Sequence, residues 1–88
     1  MVTVPVQVKK CDYRGSDLKR QEDARAWNLA AWKIEEWINE AIRKQREEIT
    51  VYKYEDVAEK TGYSLDLVRK ICFSIDCGGN GFTAIRPG

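Results

Sequence analysis

The feature that most constrains this chain is a stretch without glycine or proline that runs from Ser16 to Thr61. Ser16 or Asp17 can start a helix, because either side chain accepts a hydrogen bond from a free backbone N–H group. Apolar residues then recur at helical spacing on one face, which predicts a long amphipathic helix over residues 17–47. The predicted core-facing residues are Ala24, Trp27, Ala30, Ala31, Ile34, Trp37, Ile38, Ala41 and Ile42. Charged residues are predicted to fill most of the other face, namely Arg25, Lys33, Glu35, Glu36, Glu40 and Arg43.

Two large apolar residues, Leu29 and Trp32, fall on the charged side of this helix. One explanation is that an N-terminal strand folds over Trp32. The other is that both residues contact a partner or a second copy, because tryptophan is enriched at interfaces.

The N-terminal segment alternates valine with polar residues and proline from Val2 to Val8, a period of two that predicts a half-buried strand. Pro5 lacks the N–H group for a ladder bond, so an edge strand is expected. A disordered tail is the alternative. Residues 1–16 are therefore interpreted as an N-terminal strand and its connection.

The C-terminal half has a different pattern. A short β-branched strand is predicted at 49–52, and two helices over 54–73 are separated by Gly62, with Ser64 capping the second. Alternation from Phe73 and a glycine-rich turn then predict a β-hairpin over 73–86.

This order of elements resembles the winged helix-turn-helix superfamily. The resemblance rests on residues 55–71, where the small residue Ala58, the turn residue Gly62 and the apolar residues Val68 and Ile71 stand at the family's spacing. It implies one α+β domain over residues 1–88, with three helices, a C-terminal hairpin wing and an additional N-terminal strand.

The resemblance further implies double-stranded DNA as the partner, read in the major groove by the third helix. Arg69 is the candidate for guanine and Lys70 for a phosphate or a base edge. The predicted DNA-binding residues are Lys53, Lys60, Ser64, Asp66, Arg69, Lys70 and Arg86. A homodimer is expected, because one such helix reads only a few base pairs. Leu29, Trp32 and Phe73 are the predicted contacts with a partner or second copy.

Charge weakens this prediction, since fifteen basic and fourteen acidic residues leave a net charge of +1. Residues 1–20 carry five basic and two acidic side chains, so any basic surface must arise from placement. A protein-interaction module that uses Phe73, Trp32 or the N-terminal valines is therefore the alternative.

Catalysis is not expected, because the chain has no histidine and no phosphate-binding glycine loop, and no catalytic residue, metal or cofactor can be named. The longest apolar run is four residues, far short of the roughly 20 that span a membrane. Three cysteines cannot all pair within the chain, which predicts a reducing, cytoplasmic location. A role in transcription regulation is what the resemblance to winged helix-turn-helix proteins implies.

Overall fold

The protein, described by a computed structural model over residues 2–75 and 79–86, has the predicted α+β class. Within these residues it contains three α-helices and a two-stranded antiparallel sheet. The elements in chain order are α1 (Leu18–Lys44), β1 (Ile49–Lys53), α2 (Tyr54–Thr61), α3 (Leu65–Ile71), a 3-10 helix (Cys72–Ser74) and β2 (Gly81–Ile85). None of the described helices is long and apolar enough to cross a membrane.

Helix α1 begins after Asp17, whose side chain accepts hydrogen bonds from the backbone N–H groups of Lys19 and Arg20. It ends at Lys44 rather than at residue 47. The backbone of Gln45 is extended there, and its side-chain amide donates to nearby carbonyl oxygens, including that of Ala84 at 3.3 Å. These bonds to the neighbouring loop and strand stop the helix where the sequence offers no glycine.

The core lies between α1, the two shorter helices and the sheet. The buried apolar residues are Val6, Val8, Ala30, Ala31, Ile34, Ile38, Ile42, Tyr54, Val57, Val68, Ile71, Cys72, Phe82 and Ala84. Glu35 and Asn39 of α1 are also buried. The prediction that Glu35 lies on a solvated face is therefore wrong, and the reason is the segment that covers it.

That segment, residues 2–11, does not form the predicted strand and bends at Val4 and Pro5, and we call it the N-terminal strap. Only Val2 joins the sheet, through a parallel bridge to Ala84. Its N–H group donates to the carbonyl of Thr83 and its carbonyl accepts from the N–H of Ile85, both at 2.8 Å. The Val4–Pro5 peptide bond is cis. The rest of the strap runs along α1.

Side chains of α1, rather than another strand, satisfy the backbone of the strap. Asn39 accepts from the N–H of Val6 at 2.6 Å and donates to its carbonyl at 3.0 Å. Glu35 accepts from the N–H of Val8 at 2.9 Å, and Asn28 pairs in the same two-bond way with Cys11. The indole N–H of Trp27 donates to the carbonyl of Lys9. The strap thus buries Val6 and Val8, which are not available as a partner surface.

The predicted 73–86 hairpin is also wrong. Strand β2 pairs with β1 instead, from Ile49 opposite Ile85 to Lys53 opposite Gly81. Phe73 and Ser74 lie in the 3-10 helix, because the carbonyl of Cys72 accepts from the N–H of Ile75 at 2.9 Å and from the Tyr54 hydroxyl at 3.3 Å. The predicted positions Asp76, Cys77 and Gly78 lie outside the described residues, as do Met1, Pro87 and Gly88.

Candidate functional site

Helices α2 and α3 are joined by a tight turn at Gly62. Its φ of 81° is the left-handed conformation that favours glycine, and its N–H group donates to the carbonyl of Ala58 at 2.9 Å. The Ser64 hydroxyl caps α3 by accepting from the N–H of Leu67. Val68 and Ile71 are fully buried. The turn and the buried side together leave the opposite side of α3 exposed.

This exposed side carries Asp66, Arg69 and Lys70, followed by Phe73, which is 59% exposed. The Lys70 ammonium lies 3.2 Å from the Asp66 carboxylate, and both side chains are well exposed. Such a pair contributes little to stability, so Lys70 can exchange Asp66 for another anion. The Arg69 guanidinium donates to the side-chain oxygen of the neutral residue Asn80 at 3.1 Å, and it forms no ion pair with residues 2–75 or 79–86.

Two concavities flank Arg69, which lines both. The first, of about 600 Å³, lies between the sheet and α3 and includes Lys53, Glu55 and Asn80. The second, of about 830 Å³, lies between the strap and α3, and its lining residues are Lys9, Lys10, Cys11, Asp12, Tyr13, Trp27, Arg69, Lys70, Phe73 and Ser74. Helix α3 therefore forms the ridge between two open grooves.

Among the described residues, the grooves contain five basic side chains and two carboxylates, in a chain whose net charge is only +1. Lys10 contributes least, because its ammonium lies 2.8 Å from the Glu35 carboxylate. Lys9 and Lys53 have no ion-pair partner within the described parts of the chain. With Arg69 and Lys70, they concentrate positive charge on both sides of α3.

Only some of the predicted DNA-binding residues come together in this way. Lys60, in the last turn of α2, is exposed but lines neither groove. Arg86 follows β2 at the end remote from Gly81, about 17 Å from Gly81 at 3.4 Å per residue. Its guanidinium donates to the carbonyl of Arg46 at 2.9 Å. The site thus includes Lys53, Arg69 and Lys70 but not these two residues.

Two residues of the site, Lys9 and Asn80, were missed by sequence reasoning. A signal for the first existed in the positive excess of residues 1–20. A second signal, for the path of the strap that carries Lys9, was the spacing of Asn28, Glu35 and Asn39. This spacing places three polar side chains along one line of a helix. Nothing in the sequence indicated that Asn80 would meet Arg69.

The three predicted partner contacts lie on different surfaces. Leu29 and Trp32 are 57% and 59% exposed on the outer face of α1, whereas Phe73 borders the groove beside α3. The strap passes beside Trp32 and leaves most of it uncovered, although the Lys10 ammonium lies 4.2 Å from the centre of its ring.

The cysteines near the site differ in environment. Burial raises the pKa of the Cys72 thiol to about 12, so this residue stays protonated and acts as part of the core. Cys11 is exposed in the second groove. Across residues 2–75 and 79–86, no three side chains of ligand type come together in a way that could hold a metal ion.

Comparison with known proteins contributes no homologous site. No family model matches the chain, and neither a similar curated protein nor a similar solved structure was found. A functional assignment therefore has to be argued from the charges and contacts of the grooves.

Proposed function

We propose that α2, Gly62 and α3 form the helix-turn-helix of a winged-helix DNA-binding protein. In this proposal α3 enters the major groove of a duplex, and the protein acts as a transcriptional regulator. The observation that carries it is the position of Arg69 and Lys70 on the exposed side of α3, with Lys53 in the groove on one side and Lys9 in the groove on the other.

Each basic residue has a distinct role in this proposal. Arg69 donates two hydrogen bonds to one guanine. Its present partner, Asn80, is neutral and the bond between them is exposed to solvent, so guanine can replace Asn80. Lys70 leaves Asp66 for a phosphate. Lys9 and Lys53 contact phosphates on either side of α3, which fixes its depth and direction in the groove without reading sequence.

The sheet supports this arrangement rather than reading DNA. Strand β2 places Phe82 and Ala84 in the core, and Phe82 stacks on Tyr52 with ring centres 5.2 Å apart. The part of the connection that the structure describes, residues 79–80, carries no basic side chain. Arg86 directly follows β2, at the end of the strand opposite to Gly81 and Asn80, and so does not join the groove beside α3.

Fluorescence anisotropy with a pool of randomised duplexes, and then with selected sites, tests the proposal. We expect Arg69→Ala to weaken binding about 10-fold or more and to relax preference at one base pair. Lys9→Ala and Lys53→Ala should weaken binding to all duplexes and each reduce the slope of log K against log salt by about 0.9.

Lys60→Ala is the matched control, because Lys60 is an exposed lysine on the adjoining helix that lines neither groove. The Lys60→Ala variant should bind duplexes with the same affinity as the original chain. The proposal fails if no duplex binds at low salt, or if Lys60→Ala weakens duplex binding as much as Arg69→Ala does.

A second candidate is binding of a protein, favoured by the aromatic residues Tyr13, Trp27 and Phe73 in the second groove. It predicts no duplex binding at low salt and loss of the protein partner on Phe73→Ala. Both proposals concern binding rather than catalysis, and for both the odd number of cysteines predicts a reducing, cytoplasmic location.

A further inference from the structure

The outer face of α1 carries a row of exposed side chains that the described chain leaves largely uncovered, with Lys10 beside Trp32 as the exception. Successive members are seven, four, three, four and seven residues apart, so they fall within an arc of about 60° at 100° per residue. We call this row the outer stripe, and it consists of Leu18, Arg25, Leu29, Trp32, Glu36 and Arg43.

The stripe is unusually apolar for a helix face in water. Leu18, Leu29 and Trp32 are 73%, 57% and 59% exposed, and they are three of the six large apolar side chains that the described chain exposes. The strap lies along the adjacent line of α1, where it contacts Asn28, Glu35 and Asn39, and so leaves the stripe open. Clustered exposed apolar side chains mark an interaction surface.

The charges of the stripe indicate what covers it. The spacing is the same in both directions from a midpoint between Leu29 and Trp32. When two copies of α1 lie antiparallel across this midpoint, Leu29 of each copy meets Trp32 of the other, and Arg25 of each meets Glu36 of the other. A parallel arrangement would instead place Arg25 against Arg25 and Glu36 against Glu36.

The charged residues of the stripe are free for such pairing. Neither Arg25 nor Glu36 forms an ion pair within residues 2–75 and 79–86. A groove of about 580 Å³ next to Trp32 is lined by Glu35, Glu36 and Glu40 and by Arg43 and Lys44. Glu35 and Glu40 already pair with Lys10 and Lys44, so Glu36 is the carboxylate that meets Arg25 of a second copy in the antiparallel register.

We propose that the outer stripe is the contact of a homodimer in which two α1 helices pack antiparallel. Self-complementary surfaces of this kind are what a twofold axis requires. The contact is about 40 Å long at 1.5 Å per residue, but one helix on each side keeps its area near the lower end of stable interfaces, about 1,200 Å². We therefore expect a weak dimer, whose formation does not depend on what α3 binds.

Sedimentation velocity without DNA, at chain concentrations from about 1 to about 500 µM, measures this equilibrium. We expect Arg25→Glu and Glu36→Arg each to raise the dissociation constant about 10-fold, because each places like charges opposite one another. The double variant with both reversals restores the attraction and should recover the original constant. Leu29→Lys should abolish the dimer.

Lys19→Glu makes the same kind of charge change on the same helix, roughly 100° around from the stripe, and should leave the dimer intact. Circular dichroism confirms that each variant is folded, which is expected because all the altered side chains are exposed. Arg69→Ala should dimerise normally, so loss of DNA binding and loss of the dimer are separately visible. A chain that stays monomeric throughout, a dimer indifferent to Leu29→Lys, or a double variant that fails to recover overturns the proposal.

Discussion

The strap and the β1–β2 sheet both pack against α1, yet they are held by different means. The sheet strands bond to each other in an antiparallel ladder. The strap, beyond Val2, is bonded by the side chains of Asn28, Glu35 and Asn39. A period of two therefore indicates half-buried extended chain, and it does not indicate what satisfies the backbone. The difference makes the strap depend on single side chains, where the sheet depends on many backbone groups.

The largest effect is expected where one side chain satisfies two buried backbone groups. Asn39→Ala leaves the buried N–H and carbonyl of Val6 without partners, which should lower the free energy of unfolding by about 3 kcal/mol in urea denaturation. Asn28 makes the same pair of bonds to Cys11 at the exposed end of the strap. Asn28→Ala should therefore cost less than about 1 kcal/mol, because water replaces the lost bonds. Equal losses would show that the strap is not held through Asn39.

The sheet is most sensitive to an added side chain at Gly81, where the two strands approach closely. A Cβ atom at Gly81 would lie 2.0 Å from the backbone oxygen of Tyr52, so Gly81→Ala forces the strands apart and should cost about 2 kcal/mol of unfolding free energy. Gly62→Ala is the comparison, because a Cβ there meets open space and only the left-handed φ is strained. We expect about 1 kcal/mol for that change. The reverse order would mean that the Gly81 contact relaxes easily.

A smaller effect is expected on the pH dependence of stability, and it distinguishes the buried thiol of Cys72 from the exposed thiol of Cys11. Since burial raises the pKa of Cys72 to about 12 from an ordinary 9.0, the folded state retains a proton that the unfolded state loses as pH rises past 9. Stability is then fully present below pH 9 and should fall by about 1.4 kcal/mol between pH 8 and pH 10. Urea denaturation of Cys72→Ala should lack this part of the decline. Cys11→Ala, which removes the exposed thiol, is the control and should keep it.

The smallest effect tests whether the strap needs charge or only a hydrogen-bond acceptor. Glu35→Gln keeps an oxygen for the N–H of Val8 but loses the ion pair with Lys10, whose side chain is 26% exposed. We expect a loss below about 1 kcal/mol, because partial solvation limits such pairs. A much larger loss in thermal or urea unfolding would make the ion pair, rather than the backbone bond, the main attachment.

The helices were predictable from the sequence because their signals are local. The caps at Asp17 and Ser64, the left-handed turn at Gly62 and the apolar stripe of α1 each act within a few residues. Strand partners were not predictable, since alternation at Phe73 and Ile75 could not show that the Tyr54 hydroxyl and the N–H of Ile75 would meet at the carbonyl of Cys72.

The candidate site divides in the same way. Arg69 and Lys70 could be placed on the outer side of α3 from helical spacing alone. Lys9 joins them only because the strap is bonded along α1, a contact between residues far apart in sequence that the polar line of α1 indicates only indirectly. Glu35 and Glu36 are adjacent and chemically identical, yet one is buried under the strap and the other lies on the outer stripe.

The bridge between Val2 and Ala84 has a kinetic consequence. It joins residues that are separated by nearly the whole chain, so forming it early would close the largest possible loop before other contacts could offset the entropy. We therefore expect the bridge to form after the rate-limiting step of folding. A change that breaks it should speed unfolding and leave the folding rate almost unchanged, which makes this pairing a determinant of how long the folded chain survives.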